Sequence, residues 1–355
     1  MGNLIHCKLI LIESFILVFQ LLLMLIVLSL SSLLTVIERK GLASSQRRLG
    51  PSYNGWFGLI QIVQDGIKFI CKDYQMGEYN SNRMVLAISC IFHFIFSYSL
   101  FLFISLDYIL YRNVSFLFII CLIVLMMNHI TVIICGFIIQ HSFWTLLSCI
   151  RLILLYFMYD IMFILILLFL SSSTNLVYTF HYYNISDFLE SQYSTINIRK
   201  YPILFVLFLF LVFIEAGRIP VDLLESESEL ISGYTIEYPG FLYALYASAE
   251  YSIILFHAVS ISFLFLFHPY LSSSLLTLII FLFVIIRSTL PRFKLNQLFF
   301  LSIHYLFPNI IYVFGFFSLF SLFGLSIVSL FYYSFSISII GIIVLLLSSL
   351  WAVSV

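Results

Sequence analysis

Long apolar runs separated by short polar stretches dominate this chain from end to end. A hydrocarbon core of ~30 Å needs roughly 20 apolar residues per helix. On that scale spans are expected near 10–34, 84–110, 114–137, 145–170, 198–216, 240–267, 272–290 and 302–328. A further run, Ser334 to Val355, is long enough for a ninth span or for a helix lying on the others. The pattern predicts an all-α fold, a polytopic transmembrane helix bundle of eight core spans with room for a ninth. Residues 1–333 then form one membrane domain and 334–355 a C-terminal extension.

Composition agrees. Of 355 residues, 63% are hydrophobic and 9% charged, against about 25% charged in a soluble domain. The formal net charge of +0 offers no basic surface for phosphate, which argues against a nucleic-acid partner. Cys7, Cys71, Cys90, Cys121, Cys135 and Cys149 are scattered without a C-x-x-C pair. Neither a zinc nor an iron–sulfur site is expected from them, and no metal ligand set is assigned. The wealth of Phe and Tyr, with Leu, Ile and Ser, suits an AT-rich coding genome of the kind organelles often carry. The first apolar run lacks both a small-residue cleavage site and an Arg-rich amphipathic leader, so a cleaved address is not expected.

The loops are unequal. Those after spans 1, 5 and 7 hold Arg39, Lys40, Arg47, Arg48, Lys68, Lys72, Arg83, Arg218, Arg287, Arg292 and Lys294, while the other side holds Lys8, Arg112, Arg199 and Lys200. The positive-inside rule places the first group on the matrix or cytoplasmic face. Most of the acids gather there too, so one face of the protein is both basic and acidic.

Two loops on that face stand out. After span 1, Gly50-Pro51 and Asn54-Gly55 mark turns, and Trp56 to Lys72 reads as a helix. Trp56, Leu59, Ile60, Ile62, Val63, Ile67 and Ile70 share one face, and Gln61, Gln64, Asp65, Lys68 and Lys72 the other. Such a helix belongs in the interface plane, either as a lipid anchor or as one wall of a cavity open to the bilayer. After span 5 comes a loop rich in acids, in which Asp222, Glu225 and Glu229 share a helical face. It is either a solvated acidic loop or a buried carboxylate cluster. Ile219, Val221, Leu223, Leu224, Leu230 and Ile231 favour burial, and carboxylates forced together serve as proton carriers or charge sensors.

Charged residues also occur inside spans. Arg151 and Asp160 lie nine residues apart in span 4, on opposite faces, so each needs a partner on another helix. Glu250 opens the apolar part of span 6, and His257 follows two turns later. Charges in hydrocarbon cost at least ~2.5–3.5 kcal/mol, so they face the bundle interior or water; a proton path is the first hypothesis and inter-helix glue the second. His129, His257 and His268 read as core or interface residues rather than ligands. Glu13 can snorkel to the interface. A secondary transporter would need broken-helix repeats, which are not seen. An assembly anchor, its acids satisfied by partners, is the other alternative.

The runs IERK, QRRLGP, DGIKFICKD, IPVDLLESESELISG, IEYPG, ASAEY and LPRFKLNQL resemble the subunit 1 family of respiratory NADH:ubiquinone oxidoreductase, complex I, together with its bacterial counterparts. The resemblance extends from Val36 to Pro308, and the membrane subunit of related hydrogenases is the only close competitor. It implies a membrane subunit of the mitochondrial inner membrane, organelle-encoded, that forms the membrane part of a ubiquinone chamber. Ubiquinone is then a substrate of the complex. This chain binds no cofactor, and NADH, FMN and iron–sulfur clusters belong to partner subunits of the peripheral quinone-site module and the membrane arm. Arg39, Arg48, Asp65, Arg218 and Arg292 are implied at the quinone chamber and its access route. Arg151, Asp160, Glu215, Asp222, Glu225, Glu227, Glu229 and Glu250 are implied in proton coupling, and no complete catalytic site is expected on this chain alone. The sequence departs from the family at Asp160, usually Glu, and at Leu49, Tyr74, Asn296 and His304, and the tail after Pro308 is longer than usual.

Overall fold

A computed structural model describes residues 2–72, 83–110, 117–138, 143–174, 192, 196–222, 235, 238–266 and 272–322. Glu225, Glu227, Glu229 and the extension 334–355 lie outside them. The helices are α1 (Gly2–Ser45), α2 (Ile60–Cys71), α3 (Arg83–Leu110), α4 (Leu117–Ile138), α5 (Phe143–Thr174), α6 (Asn197–Lys200), α7 (Pro202–Ala216), α8 (Gly240–Phe265), α9 (Ser272–Thr289), α10 (Leu295–Leu301) and α11 (Phe307–Leu322). Among the described residues no strand occurs. Stretches of α1, α3, α4, α5 and α8 are long and apolar enough to cross a membrane, while α7 and Leu276–Thr289 are shorter apolar helices. The fold is an all-α membrane bundle.

Three departures from the sequence pattern have local causes. Helix α1 runs past residue 34 to Ser45, about 66 Å at 1.5 Å per residue, so its polar end stands clear of a ~30 Å hydrocarbon layer. The helix expected near 198–216 breaks at Tyr201, whose φ −134 and ψ 64 are non-helical. Pro202 follows, and a proline disfavours the helical region for the residue before it. The helix expected from 302 starts at Leu295 and carries a π-turn over Ser302–Leu306, where the Phe307 N–H reaches Ser302 O. Pro308 comes next; it has no N–H and its ring crowds the carbonyl four residues back, and a π-turn opens the helix there.

Serine is common in these apolar helices and does not stay unsatisfied. The hydroxyls of Ser29, Ser31, Ser32, Ser248, Ser252, Ser260 and Ser262 each donate to the carbonyl three residues earlier at 2.7–2.9 Å. Each polar group is thereby tied up within its own helix, which is what an apolar solvent demands.

The chain forms two compact units. One draws on 1–112, 123–135 and 238–256; the other on 113–122, 136–237 and 257–355. In the first, α1 packs on α2 and α3. Tyr98 ties the unit together, bonding Ser31 Oγ at 3.0 Å and donating to Ser248 O at 3.5 Å. His93 Nδ1 lies 2.7 Å from Asn128 Oδ1, and its ring stacks on Tyr246 at 4.9 Å. Gly240 is required by close approach: a Cβ there would sit 2.9 Å from Lys72 Cβ and 3.2 Å from Phe69 O, so only glycine lets the end of α2 reach the start of α8.

In the second unit α5 packs on α7 and α11. Its core is aromatic: Phe163 against Phe208 at 5.6 Å, Phe208 against Phe265 at 5.5 Å, and Phe213 against Phe283 at 4.6 Å. The last carbonyls of α8 lack helical donors. Gln192 Nε2 supplies Phe263 O at 2.9 Å and Asn197 Nδ2 supplies Leu264 O at 2.9 Å, so side chains finish what the backbone cannot.

Candidate functional site

In the first unit the polar end of α1 is clipped to the loop that follows it. Arg39 Nη1 lies 2.8 Å from Asp65 Oδ2 on α2, and Gln61 Nε2 donates to Asp65 Oδ1 at 2.9 Å. Lys40 donates to the carbonyl of Phe57 and lies over its ring at 5.2 Å. The amphipathic stretch begins not as α-helix but as a 3₁₀ turn, Trp56–Gly58, with Phe57 at φ 54. Gly55 and Gly58 flank it, both at φ 73, a region that favours glycine. The polar side of α2 thus meets α1, while Ile60, Val63, Ile67 and Ile70 are exposed and Trp56 is 87% exposed. Among the described residues nothing covers that apolar face, and an interfacial lipid layer is the environment that suits it.

Arg48 lies exposed beyond the end of α1, its N–H bonded to Ala43 O at 2.9 Å. Arg39 and Asp65 are brought together; Arg48 is not brought to them. Glu38 is a site neighbour that sequence reasoning did not single out. It is buried, and Tyr251 Oη donates to its Oε2 at 2.9 Å. The clue was its place where an apolar helix ends, but a partner 213 positions away has no trace in local spacing. Glu250, next to Tyr251, is half-buried.

In the second unit α7 ends at Glu215, Ala216 and a left-handed Gly217, φ 56, whose N–H caps Ile214 O. Gly217 lets the chain turn sharply into the loop Arg218–Asp222. That loop has inward apolar residues, Pro220 and Val221 buried, and a cis Ile219–Pro220 bond. The segment after α9 holds it: Phe293 N donates to Pro220 O at 2.9 Å, and Arg292 donates to the Asp222 carbonyl, its Nη2 3.7 Å from the Asp222 carboxylate. So Asp222 and Arg292, assigned to different roles by resemblance, are one ion pair. Arg218 is half-buried beside them in sequence.

Glu215 sits deepest. Its side chain is 1% exposed, and Oε1 lies 3.6 Å from Nε2 of His257, which is 0% exposed. Tyr159 on α5 is buried edge-on to the His257 ring at 5.9 Å, and Phe163 packs on the same ring at 6.2 Å. A carboxyl, an imidazole and a phenol thus meet in an apolar bundle. The sequence pattern marks His257 only as a core residue, because a lone histidine in an apolar helix carries no sign of its partner. Arg151 and Asp160 are half-buried on α5. Among the described residues no three His, Cys, Asp or Glu side chains converge as a metal site.

Comparisons with known proteins bear on this arrangement. The model of the NADH dehydrogenase family matches residues 17–318. NADH-ubiquinone oxidoreductase chain 1 of Aedes aegypti is 34% identical over 275 residues, covering 76% of this chain and 84% of its own. The chain 1 protein of Locusta migratoria is 31% identical over 293 residues, covering 81% and 90%. An NADH-quinone oxidoreductase subunit of Campylobacter jejuni strain RM1221 is 30% identical over 250 residues, covering 67% and 73%. With apolar helices able to cross a membrane and a family match over most of its length, the chain belongs to the NADH dehydrogenase family, the family of complex I subunit 1 and its bacterial counterparts.

Proposed function

We propose that this chain forms the membrane-side part of the ubiquinone chamber in a proton-pumping NADH:ubiquinone oxidoreductase and couples quinone reduction to proton translocation through buried carboxylates. The observation that carries the coupling half is Glu215, an acid with 1% side-chain exposure set against a buried imidazole. Burial of an ionisable group costs several kcal/mol unless its charge is balanced. Apolar residues would build the same helix contact without that cost, so a proton-handling role accounts for the acid better than packing does. Quinone reduction consumes protons as well as electrons, and acids along the bundle respond to that demand. Asp160, Glu250 and Asp222 extend the set, with Arg151 as a basic member, and Glu225, Glu227 and Glu229 belong to the same loop in sequence.

The access half rests on α2. Its polar side is pinned to α1 by Arg39 and Asp65, and its apolar side is open. A lipid-soluble quinone arriving from the bilayer would pass between an apolar lip and a charged rim, with Arg48 as a further cation; Arg218 and Arg292, in the second unit, are assigned to the chamber by the family resemblance. Electrons, with NADH, FMN and iron–sulfur clusters, belong to partner subunits of the peripheral quinone-site module, and the membrane arm and lipids complete the surroundings. The insect relatives suit a mitochondrial inner membrane location and an organelle gene.

The test is Glu215→Gln in the assembled complex, reconstituted into vesicles. NADH:quinone turnover and proton pumping are expected to fall together, by roughly tenfold or more. NADH oxidation by a hydrophilic acceptor, which bypasses the quinone, should persist and report intact assembly. Normal turnover with normal pumping would remove Glu215 from the coupling path.

A further inference from the structure

We infer that Glu215 and His257 act as a one-proton pair, with His257 the residue that sets where the proton of Glu215 resides. The inference rests on the coupling role proposed for Glu215 and adds a positioning residue that neither the sequence pattern nor the resemblance supplied. Three observations carry it. Oε1 of Glu215 and Nε2 of His257 are 3.6 Å apart. Both side chains are withdrawn from solvent, at 1% and 0% exposure. The imidazole is enclosed by the rings of Tyr159 and Phe163, with Tyr159 at 5.9 Å and Phe163 at 6.2 Å.

Burial restricts which charge states this pair can adopt. A lone carboxylate or a lone imidazolium is penalised by lost hydration, whereas a neutral acid with a neutral imidazole, or a carboxylate with an imidazolium, carries no net charge. Both of these net-neutral states hold one proton between the two groups. Passing from one to the other breaks the Glu215 O–H bond and forms an N–H bond at His257 Nε2, with no proton gained or lost by the pair. Among the described residues, Tyr159 on α5 stands edge-on to the imidazole at 5.9 Å, and Asp160 follows it in the chain. The pair therefore converts a nearby charge change into a proton shift between α7 and α8.

The experiment uses the intact complex with two variants, His257→Asn and His257→Gln, neither of which titrates. Infrared difference spectra on quinone reduction are recorded, with the Glu215 carboxyl band assigned by its loss in Glu215→Gln. In the wild type, a change in that band is expected together with an imidazole ring band. In both His257 variants the Glu215 proton stays on the carboxyl: the redox-linked change in the band is lost, quinone turnover drops roughly tenfold or more, and its pH profile changes shape. Asparagine and glutamine keep polarity at the site, so a merely structural histidine would leave band, profile and turnover near wild type, and that result overturns the pair. If neither variant assembles, the wild type still decides, since a carboxyl change with no imidazole counterpart also overturns it. Failure of the coupling reading looks different: Glu215→Gln itself would turn over and pump normally.

Discussion

Gly217 and Gly66 show how differently one residue type can be constrained in this chain. Gly217 caps α7 at φ 56, where a Cβ is disfavoured, and it directs the chain from the buried Glu215 into the Arg218–Asp222 loop. Gly66 lies within α2 with nothing within 4 Å of a Cβ position. Gly217→Ala should therefore destabilise by about 1 kcal/mol, and Gly66→Ala should stabilise by about the same amount. Thermal inactivation of the two variants, measured side by side in the assembled complex, should move in opposite directions. Glu38 makes a related point about burial. Its bond from Tyr251 satisfies one carboxylate oxygen inside the first unit, so Tyr251→Phe would leave a buried acid short of a donor, a cost of about 1–3 kcal/mol.

At the scale of elements, α1 and α2 form a clip built from opposite charges. Arg39 and Asp65 are 54% and 32% exposed at the side chain, and exposed pairs contribute about 0–1 kcal/mol. Stability is therefore a poor reason for the pair, and placement of α2 a better one. Arg39→Ala and Asp65→Ala should each change stability by less than ~1 kcal/mol while raising the KM for ubiquinone in membranes. An unchanged KM in both would detach the clip from quinone access. Helices were legible because apolar length and period 3.6 are local properties: the run near 84–110 is helical from Arg83 to Leu110. The 3₁₀ start at Trp56, the break at Tyr201 and the π-turn before Pro308 were not, because each depends on backbone geometry that spacing does not encode. Pro202 and Pro308 were visible, and reading their effect on the preceding turn would have found two of the three.

For the molecule as a whole, pairings were harder to read than positions. The acids and cations of interest were visible as charges in an apolar sequence. That Asp222 meets Arg292, or that Glu215 meets His257, depends on which helices pack, and a single sequence does not carry that information. The deepest described acid of this set is Glu215, at the end of the helix that precedes the acid-rich loop. The proposed role makes this chain a wall of the membrane side of a ubiquinone chamber. A photoreactive ubiquinone analogue, cross-linked in the intact complex and mapped by peptide mass, tests it most directly. Labels are predicted on this chain, at the end of α1 and on α2 around Arg39 and Asp65, and on the Arg218–Asp222 loop, with excess ubiquinone suppressing them. Labelling confined to other subunits under the same conditions would contradict the claim.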